Sequence, residues 1–149
     1  MYKSIDLYNQ LANNKLFKKS VNFGLKRIKL ALTLLGHPEK RLKNIISVIG
    51  ESGKFTTLIS LKSFIETNKK TVTAHISPSL RDIKERFYMG NRYLSHKEIK
   101  KTIKLIEKLN VPLTIFECLT LVYIINASKI NADYNIQETG ALWRLDSNN

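Results

Sequence analysis

The sequence predicts an α/β domain whose mostly parallel sheet is flanked by helices, and three observations carry that prediction. Two short β-prone runs, 44–50 and 71–77, bracket a segment with helical spacing. A glycine-containing turn joins the first run to that helix. A further β-prone run, 132–139, follows a segment that is apolar nearly all round, as a buried helix is.

Taken in order, Val21, Leu25, Ile28, Leu32 and Leu35 recur at helical spacing, so the first helix is expected over 21–35. Gly36 and Pro38 supply its stop. The run 44–50 is the first strand, and Leu58, Leu61 and Ile65 mark the inner stripe of a helix over 54–68. Strand, turn, helix and strand in this order give a βαβ unit with a parallel crossover. Residues 78–94 read as a loop with a hairpin around Gly90 and Asn91. Ser95 and Glu98 form a capping box for a helix that carries Ile99, Ile103, Ile106 and Leu109 on one side. Pro112 suits the first turn of the next helix, 113–130.

The chain has 149 residues, enough for one domain with a real core. Its net charge of +13 attracts polyanions. The lysines are scattered through helical segments such as 97–108 instead of forming a block, so solvated helix faces are expected and nucleic acid is not the expected partner. A small basic nucleic-acid-binding domain is the alternative that charge alone supports. Cys118 is the single cysteine, which excludes an intrachain disulfide framework and fits a reducing compartment. Residues 1–16 lack a secretory pattern and no run approaches the roughly 20 apolar residues of a bilayer span, so a cytoplasmic protein without a membrane partner is expected. His37, His75 and His96 lack metal-ligand spacing.

The chemistry concentrates in residues 48–57, VIGESGKFTT. Gly50, Ser52, Gly53 and Lys54 lie between a strand and a helix start, where backbone N–H groups and the helix dipole favour an anion and a lysine reaches the outer phosphates of a nucleotide. A hydroxyl just beyond the lysine suits magnesium. The match to G-x-x-x-x-G-K-[ST] is partial, because Val48 holds the first glycine position and Phe55 follows the lysine. A glycine turn closing an ordinary strand-helix unit accounts for Gly50 and Gly53 without a ligand.

Four ordered segments extend this reading. They are GLKRI at 24–28 with LLGHP at 34–38, the loop GESGKFTT at 50–57, SPSL at 77–80 followed by ERF at 85–87, and TIFECLT at 114–120 with ETGALWRLDSNN at 138–149. Together they resemble the folylpolyglutamate synthase/dihydrofolate synthase family, relatives of the Mur ligases. The resemblance implies a P-loop-containing Mur-ligase-like central domain over 44–149, an N-terminal helical lead-in over 1–43, and a glutamate-binding C-terminal domain absent from this chain.

It further implies an ATP-dependent ligase that phosphorylates a carboxylate of dihydropteroate or a folate and joins it to glutamate, with ATP and Mg²⁺ as cofactors. By carry-over, Gly50, Ser52, Gly53, Lys54, Phe55, Thr56 and Thr57 surround the nucleotide, and Lys54 and Glu117 are catalytic. Thr56 and Glu117 hold the metal, with Glu138 a further acidic group nearby. Ser79, Leu80 and Arg86 belong to the loop facing the pterin. Phe55, Ser52 and Ser79 replace a glycine, an asparagine and a histidine of the family pattern, and Leu142 and Trp143 replace two glycines. An inactive relative that keeps the fold is the other alternative, and this chain by itself is expected to be incomplete for catalysis.

Overall fold

The computed structural model describes residues 24–140 together with positions 7, 9, 11–15 and 17. Helix α1 is Lys26–Leu34, followed by a 3-10 turn at Pro38–Arg41. Gly36 ends α1 with φ 73°, in the left-handed region where a Cβ is costly. Strand β1 is Ile45–Val48, helix α2 Lys54–Thr67 and strand β2 Val72–His75. A second 3-10 turn, Ile83–Arg86, leads into strand β3, Phe87–Met89. Helices α3, His96–Glu107, and α4, Ile115–Ala127, precede strand β4, Tyr134–Glu138.

The four strands form one sheet in the order β1-β4-β2-β3. β4 pairs in parallel with β1 on one side and β2 on the other, while β3 is antiparallel to β2. The sheet is therefore mostly parallel and flanked by helices, as expected. The crossover from β1 through α2 leads to a strand that is parallel to β1 without being its neighbour, because β4 inserts between them.

Alternation along the strands divides the interior into two cores. Val72, Ala74 and Ile76 face Leu58 and Ile65 of α2, together with Val48 and Ile136. Burying a side chain such as Leu58 contributes about 1.5–3 kcal/mol. On the other face Thr73 and His75 meet α4. The Thr73 and Tyr123 hydroxyls are 2.9 Å apart, and Thr73 Oγ1 donates to Asn135 Oδ1 at 2.6 Å, so these buried polar groups are satisfied. This second core also takes in Ile28, Ala31, Ile99, Ile103 and Leu121, with Leu7, Leu11 and Phe17 of the lead-in.

Several boundaries differ from expectation. α1 begins at Lys26, and residues 18–23 lie outside the described set. Pro112 is not in the first turn of α4, because Thr114 is the N-cap and the first helical residue is Ile115. That helix ends at Ala127 instead of 130. The hairpin around Gly90 is present, with Met89 N donating to Arg92 O and a bridge between Tyr88 and Tyr93, but its first arm is a sheet strand that the polar run concealed. The capping box at Ser95 and Glu98 is formed. No described helix is long and apolar enough to cross a membrane.

Candidate nucleotide site at the carboxyl edge of the sheet

In a parallel sheet, loops at the carboxyl ends of the strands gather along one edge, where ligands of open α/β folds bind. Here β1 runs out at Val48 into Gly50, φ 149°, and Gly53, φ 77°. Both glycines hold conformations that side chains rarely adopt, which lets the loop fold tightly in front of α2. Gly53 is also the N-cap of α2 and has no side chain to satisfy the first turn. α3 and α4, by contrast, both open with complete capping boxes. The N-terminus of α2 thus has no side-chain cap and carries the positive end of its dipole.

Lys54, the first residue of α2, folds back over the loop, its Nζ donating to Gly50 O at 2.7 Å and Glu51 O at 3.4 Å. Ser52, Phe55, Thr56 and Thr57 are exposed around it. Phe55 is 47% exposed.

The neighbouring strand brings an acid to the same edge. Glu138, the last residue of β4, pairs in register with Val48, the last residue of β1. Its carboxylate is buried and accepts the Ser77 backbone N–H at 2.9 Å. The next residue, Thr139, ties β4 to β1 by donating both its N–H, at 3.1 Å, and its hydroxyl, at 3.0 Å, to Val48 O. The exits of β1, β4 and β2 are therefore clamped side by side.

Glu117 is held differently. Its Oε2 accepts the Thr114 N–H at 2.7 Å, and Thr114 Oγ1 accepts the Glu117 N–H at 3.1 Å, which completes the α4 capping box. Arg27 of α1 pairs with both carboxylate oxygens, at 3.1 and 3.2 Å. α4 packs on the sheet face opposite α2. Glu117 thereby joins α1 to the start of α4.

The loop after β2 is built by its own hydrogen bonds. Ser77-Pro78 is a cis peptide. The Glu85 carboxylate accepts the N–H groups of Leu80, Arg81 and Asp82 at 2.7 to 3.2 Å. Asp82 caps the 3-10 turn and lies 3.0 Å from His96 Nε2. Burial works against its charge, yet the Lys84 N–H and the nearby His96 and Lys84 hold its carboxyl below the usual range. Of the expected substrate positions, Leu80 is 80% exposed and Ser79 half-buried, whereas Arg86 is buried at the foot of β3.

Among the described residues no three His, Cys, Asp or Glu side chains converge as a metal cage. Cys118 is buried and burial pushes its thiol up, which suits packing and not nucleophilic chemistry. Arg144, Asp146, Leu142 and Trp143 lie outside the described residues. Ser77 was not among the sequence candidates. Its signal was available in its place just past a strand end, beside the prolyl turn.

No family model matches the chain. The dihydrofolate synthase/folylpolyglutamate synthase of Buchnera aphidicola subsp. Schizaphis graminum (strain Sg) is 35% identical over 130 residues, covering 85% of this chain and 30% of that protein. The structure of E. coli FolC in complex with DHPP and ADP superposes with a TM-score of 0.87 at 28% identity, over 97% of this chain and 34% of that one. A bifunctional folylpolyglutamate synthase/dihydrofolate synthase with Mn, AMPPNP and L-glutamate bound gives a TM-score of 0.85 at 26% identity, over 99% and 35%. By sequence and by fold, the chain is a relative of the folylpolyglutamate synthase/dihydrofolate synthases and spans about a third of their length.

Proposed function

We propose that this chain is the nucleotide-gripping part of a cytoplasmic ATP-dependent ligase that joins glutamate to dihydropteroate or a folate. The observation that carries the proposal is the glycine loop 50–53, which enters a helix without a side-chain cap directly beside the buried Glu138. Relatives crystallised with ADP, or with AMPPNP, Mn and L-glutamate, support the same reading.

The loop's N–H groups and the α2 dipole hold the phosphates, and Lys54 leaves its resting bonds to Gly50 O and Glu51 O to meet their charge. Phosphoryl transfer to a substrate carboxylate needs positioning and charge neutralisation more than covalent help from the protein. Thr56 and Glu138 fit a magnesium ion, which takes one or two protein oxygens, fills its shell with phosphate and water, and neutralises phosphate charge. In this reading Glu138, at the strand exit beside the loop, serves as the acid near the metal, while Glu117, expected there from the resemblance, has its oxygens engaged by Arg27 and the Thr114 N–H. Ser79 and Leu80 face the pterin, with Arg86 beneath them supporting the loop. In the lead-in, α1 with Leu7, Leu11 and Phe17 braces the nucleotide domain, and glutamate binding falls in the part of the relatives that this chain does not match.

Isothermal titration of the folded chain tests the proposal. Mg·ATP is expected to bind with a dissociation constant between about 1 µM and 1 mM, and Lys54→Ala is expected to weaken it roughly tenfold or more. Absence of heat in a sample that melts cooperatively overturns it.

A further inference from the structure

The sequence spreads its lysines along α3 at positions that look like an ordinary solvated face, and folding gathers them on one side. Lys97, Lys100, Lys101, Lys104 and Lys108 follow each other at helical spacing and, with Lys129 beyond α4, line one open groove. Over the eleven residue steps from Lys97 to Lys108, the C-cap of α3, the rise is roughly 16 Å. All six side chains are exposed, and none has an ion-pair partner among the described residues.

The groove's acidic member is neutralised already. Glu98 is gripped by Arg92 at 2.7 and 2.9 Å and by the Ser95 hydroxyl at 2.6 Å. The floor is polar and fixed, since Asn126 Nδ2 donates to Thr102 Oγ1 at 3.0 Å and ties the end of α4 to the middle of α3. Like charges left this close repel one another, and a bound polyanion relieves that repulsion.

We propose that this groove binds the phosphate backbone of a nucleic acid without reading its sequence. Three features select that partner. The rail is made of lysines, point charges suited to phosphate, with no arginine fork or aromatic plate for reading bases. Of the apolar residues of α3, Ile99, Ile103 and Ile106 are buried against the core and only Leu105 is exposed in the groove, which is too little apolar surface for a lipid face. The charges extend in a line and are spaced one helical turn or less apart, which suits a regularly charged rod. The surface lies apart from the glycine loop, and this inference does not depend on the ligase reading.

The test is fluorescence anisotropy of the full chain with a labelled random-sequence duplex over a salt series. Six phosphate contacts give a slope of log affinity against log salt near about −5. The variant Lys100→Gln/Lys101→Gln/Lys104→Gln is expected to bring that slope about 3 closer to zero, with its melting temperature unchanged. The control Lys26→Gln/Lys29→Gln/Lys40→Gln, outside the groove, is expected to retain the slope. A slope equally reduced in the control, or unmoved in the groove variant, overturns the proposal. So does tighter binding, at equal salt, of an oligoglutamate peptide or of phosphatidylserine vesicles.

Discussion

Arg27 and Glu117, 90 residues apart in sequence, meet in a two-pronged ion pair, Nη2 to Oε1 at 3.1 Å and Nε to Oε2 at 3.2 Å. The same carboxylate closes the α4 capping box on Thr114. One side chain therefore fixes both the start of α4 and the seating of α1 against it.

Removing Arg27 leaves a carboxylate, 6% exposed, without its charge partner, and this is the costly way to break a buried pair. Arg27→Ala is expected to destabilise the chain by about 3 kcal/mol, or roughly 6–12 °C in melting temperature for a domain of this size. Arg27→Lys recovers only part of the loss, because an ammonium cannot engage both oxygens at once. Adding Glu117→Gln to Arg27→Ala restores stability relative to the single variant, since no charge then stays buried. Calorimetric melting of the four proteins checks this, and an unchanged midpoint for Arg27→Ala sinks it.

The same pair shows what was legible in the sequence. Ser95 and Glu98 read as a capping box in the sequence, and the same spacing at Thr114 and Glu117 also forms one beside the metal role that the resemblance implies, since T-x-x-E carries both meanings. The glycine loop, the apolar α4 and the mostly parallel sheet were readable because periodicity and turn chemistry are local. The insertion of β4 between β1 and β2 was not, because strand order depends on pairings that leave no local signature. Glu138 and Ser77 meet across 61 residues through register alone. Burial of Arg86 is equally hidden, since a charged residue at the start of a strand gives no local sign that the fold will cover it.

Gly53 isolates the backbone requirement of the loop. A Cβ added there meets nothing within 4 Å, so Gly53→Ala introduces no clash and pays only for φ 77°. The expected cost is about 1–2 kcal/mol if the loop keeps its shape. If the loop relaxes instead, stability changes little and nucleotide affinity falls. Denaturation midpoints and ATP titration, read on one preparation, separate the two, and a variant unchanged in both refutes the requirement.

Glu98 gives the chain an acid-sensitive element. Hydrogen bonds from Arg92, then from the Ser95 hydroxyl and N–H, pull its carboxyl from 4.5 down to about 2. A folded-state value below the unfolded one means the stabilisation is complete above pH 4.5 and drains away as pH falls toward 2. Asp82 and Glu66 are lowered as well and add to the common slope, so the diagnostic quantity is a difference. The stability gap between the wild-type chain and Glu98→Gln is expected to be widest at neutral pH and to close below pH 4.5. Urea midpoints from pH 7 to pH 2.5 give that gap, and a gap constant with pH excludes the assignment.

Glu138→Gln separates the architectural role of this side chain from a charged one. The amide oxygen of glutamine still accepts the Ser77 N–H, so the clamp between the β2 and β4 exits survives and melting shifts by less than about 1 kcal/mol. What disappears is a negative charge at the end of the strand paired with Val48, next to the loop proposed to hold the phosphates. Affinity for ATP measured in EDTA is then expected to stay the same or rise, since one carboxylate no longer repels the phosphates. The gain in affinity on adding Mg²⁺ is expected to fall by roughly tenfold. Equal magnesium gains in the two proteins, with melting unaltered, would remove the metal role from Glu138.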